Sequence, residues 1–164
     1  MAVFTTKTFT EHDDYMTPEY AWENIQHLIP NNKVIWECFY GDGKSGEYLT
    51  DLGFDVIHED IDFFQNNLGD IIVSNPPFSK IKQVIERLAE LEKPFIIILP
   101  ASKICTGYFR EFFKNKIQII IPRKRIHFNK LINGQDVSNK SSSNFDCFYY
   151  CYQMEFDKDI IWLD

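Results

Sequence analysis

The sequence has no apolar run approaching the roughly 18 residues that a membrane-spanning helix needs. Its first residues, Met1-Ala2-Val3-Phe4-Thr5-Thr6-Lys7, lack the basic start and apolar stretch of a signal peptide. A soluble cytoplasmic protein with no membrane association is therefore expected. Cysteine is scarce: Cys38, Cys105, Cys147 and Cys151 are the four, and none forms a Cys-x-x-Cys pair. That spacing argues against a zinc site, and Cys147 and Cys151, within an aromatic stretch, read as reduced, buried thiols. No repeat and no proline-rich linker interrupts the 164 residues, so a single domain over 1–164 is expected. What is plentiful is apolar: 45% of residues are hydrophobic and 15 are Phe, enough to build a core and to exclude disorder over most of the chain.

Acids outnumber bases, 24 to 17, and the net charge of -7 argues mildly against generic polyanion binding. The distribution is uneven. From Phe112 to Gln135 there is no acid, yet Lys114, Lys116, Arg123, Lys124, Arg125 and Lys130 all fall there. Taking those six charges out leaves -13 on the rest of the chain. One basic surface on an acidic body fits a phosphate backbone, or simply a solvated face.

Thr17-Pro18 followed by Glu19 to Ile29 predicts a helix, with Thr17 as cap and Ala21, Ile25 and Leu28 on one face. Lys33 to Cys38 is a short apolar strand leading into Gly41-Asp42-Gly43, and Gly46 to Leu52 is a short helix. Phe54 to His58 is a second strand, followed by Glu59, Asp60 and Asp62. Asp70 to Ser74 is a third, closed by Asn75-Pro76-Pro77-Phe78. Ile81, Val84, Ile85, Leu88 and Leu91 keep helical spacing. Strands over Phe95 to Leu99 and Ile117 to Ile121 flank a helix around Tyr108 to Lys114, and Phe145 to Met154 reads as a sixth strand. The polar stretch Asn129 to Asn144 is long enough to be a mobile functional loop. Short apolar strands alternating with helices mean an α/β protein, its mostly parallel sheet covered on both faces, with the last two strands as an antiparallel pair at the edge. Such sheets bind ligands at the carboxyl ends of their strands, where the notable motifs sit.

Glu37-Cys38-Phe39-Tyr40-Gly41-Asp42-Gly43 contains two glycines that permit a tight turn and close approach of backbone amides to a ligand. A glycine turn after a strand is common and carries little weight alone. Neither the dinucleotide fingerprint nor a Walker loop is present: Gly43-Lys44-Ser45 lacks the required upstream glycine, position 38 being Cys. Glu59 and Asp60 can accept the hydroxyls of a ribose, or can be solvated loop acids. Ser74-Asn75-Pro76-Pro77-Phe78 is far more specific. Two prolines freeze the main chain directly after the strand. Asn75 and the Pro76 carbonyl can then accept both hydrogens of an amino group, while Phe78 offers a face on which a base can stack.

Asn75-Pro76-Pro77-Phe78 resembles the catalytic signature of amino-methyltransferases, which modify adenine or cytosine amines in nucleic acid or glutamine amides in proteins. Glu37 to Gly43 is similar to their S-adenosylmethionine loop, Tyr15-Met16-Thr17-Pro18 to their upstream Thr-Pro element, and Asp62-Phe63-Phe64 to the element facing the cofactor adenine. The resemblance spans roughly positions 13 to 100 and is strongest to small phage and viral adenine-specific DNA methylases. It implies a Rossmann-like class I methyltransferase fold, S-adenosyl-L-methionine as cofactor, and adenine N6 in DNA as the methyl acceptor. RNA, protein glutamine and a non-catalytic interaction module are the alternatives. Asn75, Pro76, Pro77 and Phe78 are then the catalytic set. Tyr15, Thr17, Pro18, Glu37, Phe39, Gly41, Gly43, Glu59, Asp60, Asp62 and Phe63 would meet the cofactor: Glu37 its amino group, Glu59 or Asp60 its ribose, Asp62 its adenine amine, with Phe63 packing on the ring. Departures from the pattern carry their own expectations. The stretch between the second and third strands is too short for the helix usual there. With no separate recognition domain, specificity falls to the Asn129 to Asn144 loop or to a partner or homodimer, or is weak. His127, beside the basic residues, reads as a packed or surface histidine rather than a proton acceptor.

Overall fold

The computed structural model describes residues 15–132, 135–136 and 145–164. In chain order the elements are β1 (Tyr15–Met16), α1 (Glu19–Glu23), β2 (Val34–Trp36), α2 (Lys44–Asp51), β3 (Asp55–Ile57), β4 (Ile71–Ser74), α3 (Ile81–Leu91), β5 (Phe95–Pro100), α4 (Gly107–Phe113), β6 (Ile117–Ile121), β7 (Asn129–Ile132), β8 (Gln135–Asp136), β9 (Cys147–Tyr152) and β10 (Ile160–Trp162). Seven of the strands make one sheet in the order β10-β6-β9-β5-β4-β2-β3, and β1, β7 and β8 make a small second one. Within the large sheet all neighbours are parallel except β9, which runs antiparallel to both β5 and β6.

The period-2 alternation of strand side chains divides the core in two. Trp36, Ile72, Ile97, Leu99 and Tyr150 face α3 and α4 and pack on Val84, Leu88, Phe109 and Phe113. Ile35, Ile71, Val73, Ile96, Ile98 and Tyr149 face the other way, onto Ala21 and Trp22 of α1 and Leu49 of α2. Strands covered on both sides must be apolar throughout, and every residue of β4 and β5 is buried. Tyr149 fastens α1 to the sheet by donating its hydroxyl to the Ala21 carbonyl at 2.5 Å.

Several expectations change. The helix predicted from Glu19 to Ile29 is five α-helical residues followed, after Ile25 (φ -115°, ψ 4°), by a 3-10 turn at Gln26–Leu28. Thr17 does not cap it; Pro18 occupies the cap position and makes no side-chain bond there. The antiparallel pair β6 and β9 is present, but β9 lies inside the sheet and a short parallel strand, β10, forms the edge beyond β6. Between β3 and β4 there is a single 3-10 turn, Phe63–Gln65, in place of the usual helix. Part of the expected Asn129 to Asn144 loop is strand: β7 pairs with β1 and with β8. Positions 133–134 and 137–144 lie outside the described residues.

Gly46, on the buried face of α2, marks where that helix presses on the end of β3. A Cβ built there would lie 2.2 Å from Cγ of His58 and 2.4 Å from its Cβ. Gly46→Ala is expected to lower stability by about 2 kcal/mol, overpacking outweighing the roughly 1 kcal/mol of added helix propensity. A thermal melt should fall by about 4–8 °C, and an unchanged or raised midpoint would refute the close contact.

Candidate active site

At the carboxyl ends of β2 and β4 the chain opens a cleft of about 450 Å³. One wall is the turn after β2, with Glu37, Phe39, Tyr40, Gly41 and Asp42; the second is Tyr15, Met16 and Thr17; the third is Asn75 to Phe78. The space open to water-sized molecules in the cleft is only about 30 Å³, enough for one or two waters. Met16 and Tyr40 cause the constriction. The Met16 sulfur lies 3.0 Å from where a Gly41 Cβ would stand, and the Tyr40 hydroxyl 2.8 Å from that of Gly43. Both glycines hold positive φ, 61° and 82°, and Gly43 is the residue from which α2 starts. A ligand of nucleoside size requires the Tyr40 and Met16 side chains to swing aside, since the glycine backbone behind them has no Cβ to move.

Glu37 is buried beneath this turn. Its Oε1 accepts the Ser74 hydroxyl, while Oε2 has no partner. Burial pushes its carboxyl up to about 8, against the lowering effect of the Ser74 bond and the Phe39 amide, with Asp42 adding a little repulsion. Asn75 forms the facing wall. Its amide nitrogen donates to Thr17 Oγ1 at 3.0 Å, and its Oδ1 is buried without a partner. The cleft thus has an unpaired acceptor on each of two walls.

Pro77 is extended (φ -66°, ψ 133°) and launches a 3-10 turn, Phe78–Lys80. Phe78 is fixed by other aromatics: Phe145 meets it edge-on at 4.9 Å and Phe128 at 6.1 Å, and Tyr15 lies near-parallel at 6.4 Å. These three rings bring together the Thr-Pro element, the Asn-Pro-Pro-Phe turn and the segment after β6.

The expected site residues divide in two. Tyr15, Thr17, Glu37, Phe39, Gly41, Asn75, Pro76, Pro77 and Phe78 all line the cleft, and Gly43 closes its turn. Pro18 is buried behind it at the start of α1. Glu59 and Asp60 are exposed beyond β3, on the far side of β2 from Asn75. Asp62 caps the 3-10 turn through the Phe64 amide at 2.9 Å and keeps one buried oxygen, Oδ2, without a partner. Phe63, expected against a cofactor ring, is fully buried among Trp36, Phe39 and Phe64, and presents no face to a ligand. Met16, Tyr40, Asp42, Ser45 and the Ser74–Glu37 contact were not expected; each is a neighbour of a motif residue, the only signal by which sequence could have pointed to them.

The six basic residues do not form one surface. Lys114 and Lys116 sit at the amino end of β6, whereas Arg123, Lys124 and Arg125 follow its carboxyl end. Five strand residues, about 17 Å, separate the two groups. Because β6 runs parallel to β4, only the second group lies at the Asn75 end of the sheet. Arg125 is committed to Asp146, Nε to Oδ1 at 2.8 Å with a second contact of 3.2 Å. Lys130 lies on β7, paired with Tyr15.

A mostly parallel sheet covered on both faces, with an acid-and-glycine turn after one central strand and Asn-Pro-Pro-Phe after the next, is a Rossmann-like arrangement with its cleft at the strand ends. The chain belongs to the family described as adenine-specific methyltransferase EcoRI, whose family model matches residues 23–156. No curated protein matches it. Among solved structures it is similar to a Pyrococcus horikoshii protein described as an RNA methyltransferase, at 16% identity over 92% of each chain with a TM-score of 0.48. It is also similar to the tRNA methyltransferase TrmI from Aquifex aeolicus, at 13% identity over 88% of this chain and 72% of that one, with a TM-score of 0.42. Family membership implies S-adenosylmethionine as methyl donor. Among the described residues no helix is long and apolar enough to cross a membrane.

Proposed function

We propose that the protein methylates the exocyclic amine of adenine in nucleic acid, with DNA as the first substrate to test. The observation that carries this reading is Asn75: its NH2 is tied to Thr17, which leaves Oδ1 as a buried, unpartnered acceptor in the cleft. A buried acceptor without a donor costs on the order of 1–3 kcal/mol, and the amine of a substrate base would satisfy it. Together with the Pro76 carbonyl, Asn75 would hold both amine hydrogens, and the caged Phe78 ring would support the extruded base.

The residues on the other wall fit a cationic cofactor. Glu37 offers a buried carboxyl oxygen with no partner, whose ionised form suits an ammonium group, and the two glycines permit close approach once Tyr40 and Met16 swing aside. On the β3 side, Asp62 Oδ2 is a further unpartnered acceptor, suited to the cofactor adenine amine, and Glu59 or Asp60 would serve its ribose. The cofactor supplies a sulfonium-bound methyl. With it bound, the amine lone pair would form the new N–C bond as the C–S bond breaks, its electrons going to sulfur and the amine proton to solvent. The protein's work is positioning and electrostatics.

The test is transfer of labelled methyl groups to duplex DNA, single-stranded DNA, RNA and cell protein, followed by digestion and separation of the products. Label on N6 of adenine is the expected result. Label on glutamine, or no transfer despite cofactor binding measured by calorimetry, would overturn the reading. Label confined to RNA adenine would keep the chemistry and replace DNA as substrate.

A further inference from the structure

A second opening, a groove with about 680 Å³ open to water-sized molecules against about 30 Å³ in the cleft, lies between the α1 segment and the turn after β6. Tyr20 and His27 of the α1 segment line one side, and Arg123, Lys124 and His127 the other, with the β10 edge and Trp162 completing it. His127 connects the two openings. Its backbone amide donates to the Tyr20 hydroxyl at 2.7 Å in the groove, while the next residue, Phe128, packs on Phe78 in the cleft. The groove thus lies within reach of a strand whose target base rests on Phe78.

The lining has the chemistry of a nucleic-acid track. Arg123 and Lys124 are exposed and form no salt bridge with a described residue, whereas Arg125 is held by Asp146. Among the described residues, Asp164 is the one acid that lines the groove. Trp162 is 72% exposed, against full burial of Trp22 and Trp36. Its register beside Ile121 sets it next to the segment that carries Arg123 and Lys124. An exposed tryptophan beside cations that make no salt bridge with a described residue is the pairing that an unpaired base and its phosphates require.

We propose that this groove seats the nucleic-acid strand flanking the target base, with Arg123 and Lys124 on its phosphates and an unpaired neighbouring base stacked on Trp162. The inference rests on the nucleic-acid reading above, and its test is separable from it. Oligothymidylate of about twelve nucleotides has no exocyclic amine, so it reports on the groove without the chemistry. Since the other two tryptophans are fully buried, quenching of intrinsic fluorescence on its addition reads Trp162.

Saturable quenching is expected. Trp162→Ala should abolish it and weaken binding about tenfold, and Trp162→Phe should retain most of the affinity. Arg123→Glu with Lys124→Glu should weaken binding at least tenfold and flatten the log–log salt dependence by about 1.4, the value for two phosphates of a single strand. All these side chains are exposed, and a thermal melt checks that each variant is folded. Emission unchanged at saturation, or wild-type binding by the double variant, would overturn the groove even if adenine methylation proceeds. Quenching without methylation of any adenine would uphold the groove and overturn the function.

Discussion

Replacing Asn75 by alanine is expected to slow methyl transfer by about 10²–10³-fold, the usual cost of removing one preorganised polar contact at a reacting group. The loss should fall on the chemical step. Asn75 stands on the wall opposite Glu37, so cofactor affinity measured by calorimetry should stay within about twofold. The fold should survive, because the variant loses one side-chain bond to Thr17 but also removes the buried, unpartnered Oδ1. Thr17→Val gives the complementary result. It keeps the side-chain shape but leaves the Asn75 NH2 without its acceptor, so the amide is free to turn, and the rate should fall by about tenfold. Combining the two changes should cost little more than Asn75→Ala alone, because Thr17 acts through Asn75. Single-turnover rates at saturating cofactor are the measurement. A rate within threefold of wild type for Asn75→Ala would remove Asn75 from the reacting centre.

That the cleft was visible before the structure, while its surroundings were not, has physical causes. The central strands had to be apolar on both faces, so Ile71 to Ser74 and Phe95 to Leu99 stand out as continuous runs, and the amphipathic spacing of α3 is equally plain. The prolines after β4 and the glycines after β2 mark strand ends, and parallel order brings those ends together. Contacts decided in three dimensions carried no such mark. Tyr15–Met16 and Ile160–Trp162 are strands of two and three residues, too short for any periodicity, and they exist only because β7 and β6 offer them partners. Thr17 looks like a helix cap in sequence, but its hydroxyl is taken by a residue 58 positions away. The six basic residues share one acid-free stretch of sequence, but β6 runs through it, and a strand places its two ends at opposite edges of the sheet. Phe63 follows an acid that resembles a cofactor contact, yet its ring turns into the aromatic cluster around Trp36, where burying it is worth about 2–3 kcal/mol.

Cofactor binding is expected to be strongly pH-dependent, and Glu37 is the reason. Its carboxyl is pushed up to about 8, chiefly by burial, while an unfolded chain would hold it near 4.5. The groups that face it are the Ser74 hydroxyl, the Phe39 amide, the neighbouring Cys38 thiol, itself raised by burial, and Asp42, so no described cation offsets the burial. The folded protein therefore keeps a proton there between about pH 4.5 and 8 that the unfolded chain releases. Stability should fall with rising pH across that window, by at most about 1.4 kcal/mol per unit from this group. A cationic ligand reverses the preference, because an ammonium beside Oε2 favours the carboxylate. Binding should then release one proton, and affinity for S-adenosylmethionine should rise about tenfold per pH unit between roughly 5.5 and 7.5, where an α-amino group is still protonated. Glu37→Gln preserves an acceptor for Ser74 but cannot ionise. It should bind the cofactor at least tenfold more weakly at pH 7.5, show a flat profile below it, and lose the fall in thermal midpoint between pH 5 and 8. Calorimetry in two buffers of different ionisation enthalpy counts the released proton directly. A value near zero for the wild type, or a slope that persists in Glu37→Gln, would move the cofactor's cationic end away from Glu37 and leave the buried carboxyl as a structural acid that accepts the Ser74 hydroxyl.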